Sequence, residues 1–162
     1  MAAMLMGAWS LQSCDNEPTK EVWLDEFGQD SCYVQDWGML EVNRSVVHTP
    51  LTVNGVVYER GLGAHSISRL LYDLDGKAVS ISGLAGADDK NLFAGKLQFK
   101  ILGDKKELWK SGVMQKGDPV KEFNVNLKGV DKVLLLVEEC GDGIMYDHAD
   151  WLNVKITTRG DV

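Results

Sequence analysis

Apolar residues in this chain recur at every second position and almost nowhere at the three-to-four spacing of a helix. Leu97, Phe99 and Ile101 alternate with Lys96, Gln98 and Lys100, and Phe123, Val125 and Leu127 alternate with Asn124 and Asn126. Leu152, Val154 and Ile156 repeat the pattern, as do Val79 and Ile81 with Ser80 and Ser82. Successive side chains of a strand point to opposite faces, so each segment can bury one face and wet the other. Val133 to Val137 is continuously apolar, as a central strand covered on both faces requires. Asn54-Gly55, Asp75-Gly76, Gly103-Asp104, Lys128-Gly129 and Gly141-Asp142-Gly143 separate the segments, and each supplies the backbone freedom of a tight turn. Short strands divided by polar turns predict an all-β fold, an antiparallel β-sandwich.

A chain of 162 residues fits one domain with a substantial core. Its net charge of −7 opposes phosphate binding, which needs a concentrated basic surface, so a nucleic-acid partner is not expected. No apolar run is long enough to cross a bilayer. The start of the chain differs from the rest. Residues 1–11 are almost wholly apolar or small, and Leu11-Gln12-Ser13-Cys14 follows. That stretch resembles a bacterial lipoprotein signal, in which Cys14 is lipidated, although no Lys or Arg precedes it. The reading is a signal segment over 1–14, a polar linker over 15–21, a domain over 22–157 and a tail over 158–162. Export would permit Cys32 and Cys140 to pair, but their spacing leaves pairing and two free thiols both open. No C-x-x-C or H-x-x-x-H spacing exists for zinc.

In a sandwich, recognition is expected in the end loops. Four are rich in polar and glycine residues: Gln35 to Ser45, Gly61 to Ser68, Gly86 to Gly95 and Gly141 to Trp151. The last is the densest, with Asp142, Asp147, His148 and Asp150 beside Tyr146 and Trp151. A sugar offers an apolar C–H face and a rim of hydroxyls, so its site needs an aromatic platform and short fixed donors and acceptors. Trp37, His65, Asp147 and His148 supply that set. Two also have plainer readings: Trp37 as a core residue, His65 as a hydrogen-bonded structural histidine. Trp23, Trp109 and Trp151 read as packing, and His48 as surface. Asp88 and Asp89 read either as calcium ligands or as an acidic turn.

These motifs occur in an order that resembles a known family. Trp37-Gly38, Asn43 to Ser45, Tyr58 to His65, Tyr72 to Gly76, Gly86 to Asp89, Gly95 to Phe99, Ser111 to Met114 and Asp147 to Trp151 are similar to the NPCBM domain, also called carbohydrate-binding module family 51. Ala64 stands for a usual Thr, Ser66 for a usual Ala, and Leu152-Asn153 for a usual Ala-Asp. The resemblance implies a jelly-roll, galactose-binding-like sandwich appended to a secreted or surface glycoside hydrolase. It also implies a galactose-containing glycan as ligand and a structural calcium. A monomer is expected, touching a membrane only through a lipid on Cys14.

Two other functions compete. A small glycosidase would use Asp147 and Asp150 as acid and base, but these sit three apart in one loop, whereas such carboxylates normally flank the bond from separate elements. A protein-binding adhesion sandwich would want an exposed apolar patch rather than a polar loop. No G-x-S-x-G or phosphate-binding loop is present.

Overall fold

The computed structural model describes residues 18–30 and 32–160. The chain forms thirteen strands and one 3₁₀ helix, Leu24–Asp30, among the described residues. Two antiparallel sheets face each other. The first contains β1 (Thr19–Trp23), β3 (Glu41–Val42), β6 (Gly61–His65), β8 (Ala78–Ala87), β11 (Lys121–Asn126) and β13 (His148–Arg159). Its order is β11-β8-β13-β6-β3, and β1 also pairs with β13. The second runs β10-β9-β12-β7-β2, with β2 Cys32–Gln35, β7 Ser68–Asp73, β9 Leu97–Gly103, β10 Lys106–Met114 and β12 Lys132–Glu139. The remaining strands, β4 (Leu51–Val53) and β5 (Val56–Tyr58), make a separate hairpin.

The alternation read from the sequence places the core. Leu97, Phe99, Ile101, Phe123 and Val125 are buried between the sheets. Trp151 lies at the centre, fully buried, edge-on to Phe99 at 4.9 Å and to Phe123 at 5.7 Å between ring centroids. That geometry sets a positive ring edge against a negative ring face. Trp109 packs on Phe123 at 5.1 Å. Trp23 lies between two cations, the Arg60 guanidinium at 4.6 Å and the Lys155 ammonium at 4.5 Å.

One expectation fails at β13. Leu152, Val154 and Ile156 do not share a face. Asn153 adopts a left-handed backbone (φ 48°), and the register with β8 shifts between Leu152 and Lys155. This bulge inserts an extra residue, so Trp151, Val154 and Ile156 face the core while Leu152 packs with Leu51 and Val53 of the hairpin. A second shift, between Thr157 and Thr158, accompanies burial of Ala78 in the core in place of the expected Val79. The folded region also exceeds the expected limits. Thr19 to Glu21, expected as linker, pair with Arg159 to Thr157, a run that reaches into the expected tail. β12 is fully covered only on its inner face, since Leu134 is half-buried.

The β4–β5 hairpin covers the outer face of the first sheet, and two acids tie it there. Asp89 accepts the backbone N–H groups of Asn54 at 3.0 Å and Gly55 at 2.8 Å. Asp88 accepts Lys90 N–H at 2.6 Å and lies 3.4 Å from the Thr52 nitrogen. Asp150, fully buried beside Asp88, has no donor to either carboxyl oxygen among the described residues. Its cross-strand neighbours are Gly63 and Gly86. A Cβ on Gly63 would stand 2.3 Å from the Arg44 carbonyl, and one on Gly86 2.7 Å from Val53. The loop and hairpin therefore press directly on the backbone around Asp150.

Burial first, then the charge of Asp88, a carboxyl–carboxyl hydrogen bond with it and the charge of Asp89, holds the Asp150 carboxyl well above its usual range. A raised carboxyl favours the folded state while protonated. Its contribution is complete below the unfolded value of about 4 and is lost as pH rises through the folded value. In the presence of a chelator, the thermal midpoint is expected to fall as pH rises above about 4. Asp150→Asn, neutral at every pH, is expected to raise the midpoint at about pH 7.5 and flatten the dependence. A variant less stable than the parent at that pH would contradict this account.

Candidate functional site

Three sequence-predicted residues meet at one end of the sandwich. His65 closes β6 and His148 opens β13, and the two are direct cross-strand partners. Both were expected in loops; both are strand residues and largely buried. Their rings lie 5.4 Å apart. Trp37, on the turn after β2, stacks parallel to His148 at 5.6 Å and leans on His65 at 4.9 Å. It is 48% exposed, so it is not a core residue. Ile144, Met145 and Tyr146 form the opposite wall, and the cleft between them encloses about 300 Å³.

The two imidazoles are arranged differently. His65 Nδ1 lies 2.5 Å from the Ser66 carbonyl. A carbonyl can only accept, so Nδ1 carries the proton and Nε2 is left as an acceptor. His148 Nδ1 is buried without a hydrogen-bond partner among the described residues. A buried N–H with no acceptor costs more than a bare ring nitrogen, which assigns the proton to Nε2. The pair thus offers one acceptor and one donor to the cleft. Burial, above all, lowers both histidines below their usual value, and the charge of His65 adds to the effect on His148. Both are therefore neutral at about pH 7, the state in which an imidazole can serve a hydroxyl in either direction.

Asp147 is brought to the same place but not to the same surface. It is fully buried, and Ser66 Oγ donates to its Oδ2 at 2.5 Å. Burial, opposed by the Ser66 hydrogen bond and reinforced by Asp142 and Glu139, raises its carboxyl to about 6. Behind it sits Gly95, where a Cβ would fall 2.4 Å from Asp147 Oδ1 and 2.7 Å from the carbonyls of Met145 and Tyr146. Asp147 therefore braces the cleft from behind, through Ser66 next to His65. Asp150 lies under the hairpin. The two carboxylates a glycosidase would need are both buried, and neither lines the cleft.

Sequence reading missed Asn91. It is fully buried; its carbonyl oxygen accepts His148 N–H at 2.8 Å and its amide donates to the His148 carbonyl at 2.9 Å. This fixes the His148 backbone from its free side. The only hint was its place just after Asp88-Asp89 in a glycine-bounded loop. Tyr146, noted in the densest loop, was given no role of its own. Its backbone is left-handed (φ 63°), a conformation that a bulky residue holds only when its surroundings impose it.

Calcium fits one part of the expectation better than another. Both Asp89 oxygens already serve backbone N–H groups. Asp150, nine-tenths or more buried, presents its carboxyl to Asp88, and two adjoining carboxyls are the donor chemistry of a shared proton or of a hard cation. No group of three or more His, Cys, Asp or Glu side chains gathers among the described residues, so the other ligands would be backbone carbonyls. Cys140 is a half-buried free thiol. Cys14 and the Cys32 side chain lie outside the described residues. His48 is exposed and pairs with Glu41 at 3.1 Å.

Comparison with known proteins agrees with this architecture. The chain is 29% identical over 130 residues to an alpha-1,3-galactosidase B of Akkermansia muciniphila, covering 78% of this chain and 16% of that protein. It is 29% identical over 151 residues to a putative endo-alpha-N-acetylgalactosaminidase of Renibacterium salmoninarum, covering 90% and 10%. The chain thus spans a small fraction of the length of these relatives. Its fold matches that of the CBM51 from Clostridium perfringens GH95, solved with methyl-galactose. There the TM-score is 0.77 at 24% identity, over 85% of this chain and 99% of that one. It also matches a structure containing the M60 catalytic domain with two CBM51 domains of ZmpB from the same organism (TM-score 0.78, 28% identity, 87% and 15% coverage). The model of the NPCBM/NEW2 domain matches residues 20–157, and the chain belongs to that family.

Proposed function

We propose that this domain binds a terminal galactose residue reversibly and does not cleave it. The observation that carries the reading is the cluster of Trp37, His65 and His148 around an open cleft. The exposed indole suits the C–H face of a pyranose. The acceptor on His65 and the donor on His148 suit two neighbouring hydroxyls. The absence of a carboxylate from the cleft lining removes the acid–base pair that glycoside hydrolysis uses. The galactose-related names of the relatives and the methyl-galactose complex of a structural neighbour support the choice of sugar.

One stacking contact and a few hydrogen bonds, each largely offset by lost water contacts, give a modest affinity. A micromolar to millimolar range, about 4–8 kcal/mol, follows. Such binding becomes useful when a tether raises the effective concentration. In this proposal the tether is a larger glycoside hydrolase outside the cell or at its surface, or a lipid on Cys14, and the domain works as a monomer. Calcium, held by Asp88 and Asp150, would neutralise the buried carboxylates and fasten the hairpin to the sheet.

Calorimetric titration with methyl galactoside is expected to show binding that Trp37→Ala weakens more than tenfold, without a change in thermal midpoint. His65→Gln and His148→Gln are each expected to weaken it about tenfold. Acid protonates the His65 acceptor, so affinity is expected to be constant above about pH 6.5 and to fall below it. No heat at millimolar methyl galactoside would reject the sugar, and N-acetylglucosamine is the first alternative ligand to titrate. Separately, millimolar calcium is expected to raise the thermal midpoint of the parent but not of Asp150→Asn. A parent midpoint unchanged between calcium and EDTA would remove the metal from the proposal.

A further inference from the structure

The cleft is small. At about 300 Å³ it stands at the lower limit of ligand pockets, so a longer glycan must leave over its rim. That rim is unusually apolar on one side. Leu92 is 73% exposed, Phe93 67% and Met145 71%. Single exposed apolar residues need no explanation, but Leu92 and Phe93 are consecutive and Phe93 is linked to the cleft wall. Phe93 meets Tyr146 edge-on at 4.9 Å between centroids, and Tyr146 and Met145 are themselves part of the cleft wall. The apolar surface therefore continues from inside the cleft to outside it.

The ridge is also fixed, which an incidental loop tip need not be. Asn91, one residue before Leu92, is clamped to the His148 backbone on both its polar side-chain atoms. Its backbone carbonyl accepts from Lys116 Nζ at 2.6 Å. Gly95, two residues after Phe93, is crowded by the carbonyls of Met145 and Tyr146. On the other loop, Asp142 accepts the Lys96 N–H at 3.1 Å, and the Lys96 carbonyl accepts the Cys140 N–H at 2.9 Å. The two loops are thus tied on either side of Tyr146, and Asn91 of the first also holds His148.

We infer that Leu92, Phe93 and the outer faces of Met145 and Tyr146 form a second subsite, which receives the apolar C–H face of the sugar attached to the terminal residue. This rests on the galactose reading of the cleft and adds to it. The domain selects a galactose-terminated disaccharide of one anomeric linkage over galactose alone, because only one linkage directs the second ring across this ridge. The cleft fixes the first sugar by hydroxyls and the ridge fixes the second by shape. Discrimination between linkages then comes from how much of the ridge the second ring covers rather than from hydrogen bonds.

The test compares methyl α- and β-galactoside with galactose-terminated disaccharides of α and β linkage, by calorimetric titration of the full chain. One disaccharide series is expected to bind about five- to tenfold tighter than its methyl galactoside, the yield of one aromatic contact. Phe93→Ala is expected to remove that gain. Because Phe93 lies outside the cleft lining, methyl-galactoside affinity should stay within about twofold, and an unchanged thermal midpoint verifies the fold. Leu92→Ser, on the same ridge, is expected to reduce the gain as well. Binding of methyl galactoside with no gain for either linkage overturns the subsite and leaves the cleft intact. A gain that survives both substitutions overturns it equally. Failure of methyl galactoside itself to bind would instead remove the galactose reading on which the subsite rests.

Discussion

β13 changes partner halfway along its length. His148 to Leu152 pair with β6, and Trp23 to Thr19 of β1 take over opposite Lys155 to Arg159, while β8 runs along the other edge. The bulge at Asn153 is where the exchange occurs. It lets one strand bury Trp151 in the core, seat Leu152 under the hairpin and still keep Val154 and Ile156 inside. Because the pairing with β6 sets His148 opposite His65, the same backbone ladder that holds the core also fixes the ring spacing of the cleft. Neither histidine can shift without breaking ladder hydrogen bonds, so the recognition geometry inherits the rigidity of the sheet.

That arrangement has an electrostatic cost. Asp147 Oδ1, His148 Nδ1, both oxygens of Asp150 and Trp151 Nε1 are buried without a hydrogen-bond partner among the described residues. All belong to one short run of chain. Each such group costs about 1–3 kcal/mol relative to a satisfied one, which local packing alone would not select. Two members of the run stand at the cleft or directly behind it, and Asp150 stands beside Asp88, where its carboxyl is pushed towards the protonated form. The raised carboxyls of Asp147 and Asp150 and the lowered histidines are consequences of the same burial. All four are pushed towards neutrality.

The strand pattern was legible because it depends only on period. Leu97 to Ile101 and Phe123 to Val125 behave as the alternation requires. What failed was what period cannot carry. A bulge moves residues from one face to the other without altering the composition of the segment, so the alternation misplaces Leu152 and Val79. Trp37, His65 and His148 were identifiable as a chemical set, and the resemblance placed them in one family motif order. Their roles were not separable from sequence. Asp147, as polar and as near in the chain as His148, turns inward because Gly95 leaves room for its carboxyl and Ser66 offers it a hydroxyl. Asn91 was invisible for the converse reason: an ordinary loop asparagine becomes a clamp only through a backbone 57 residues away.

The hairpin and the cleft are joined by Asp88 and Asn91. Asp88 N–H donates to the His148 carbonyl at 3.0 Å, while the Asp88 side chain faces Thr52, Lys90 and Asp150. The same short loop therefore grips the first residue of β13 with its backbone and with Asn91, and meets the hairpin with its two carboxylates. Whatever sets the charge state around Asp150 acts on the loop that positions His148 and carries Phe93. The Asp88 and Asp150 carboxyls adjoin where that loop meets the sheet. Adjoining residues of the 88–95 loop thus contact both the outer hairpin and the histidine end of the sandwich.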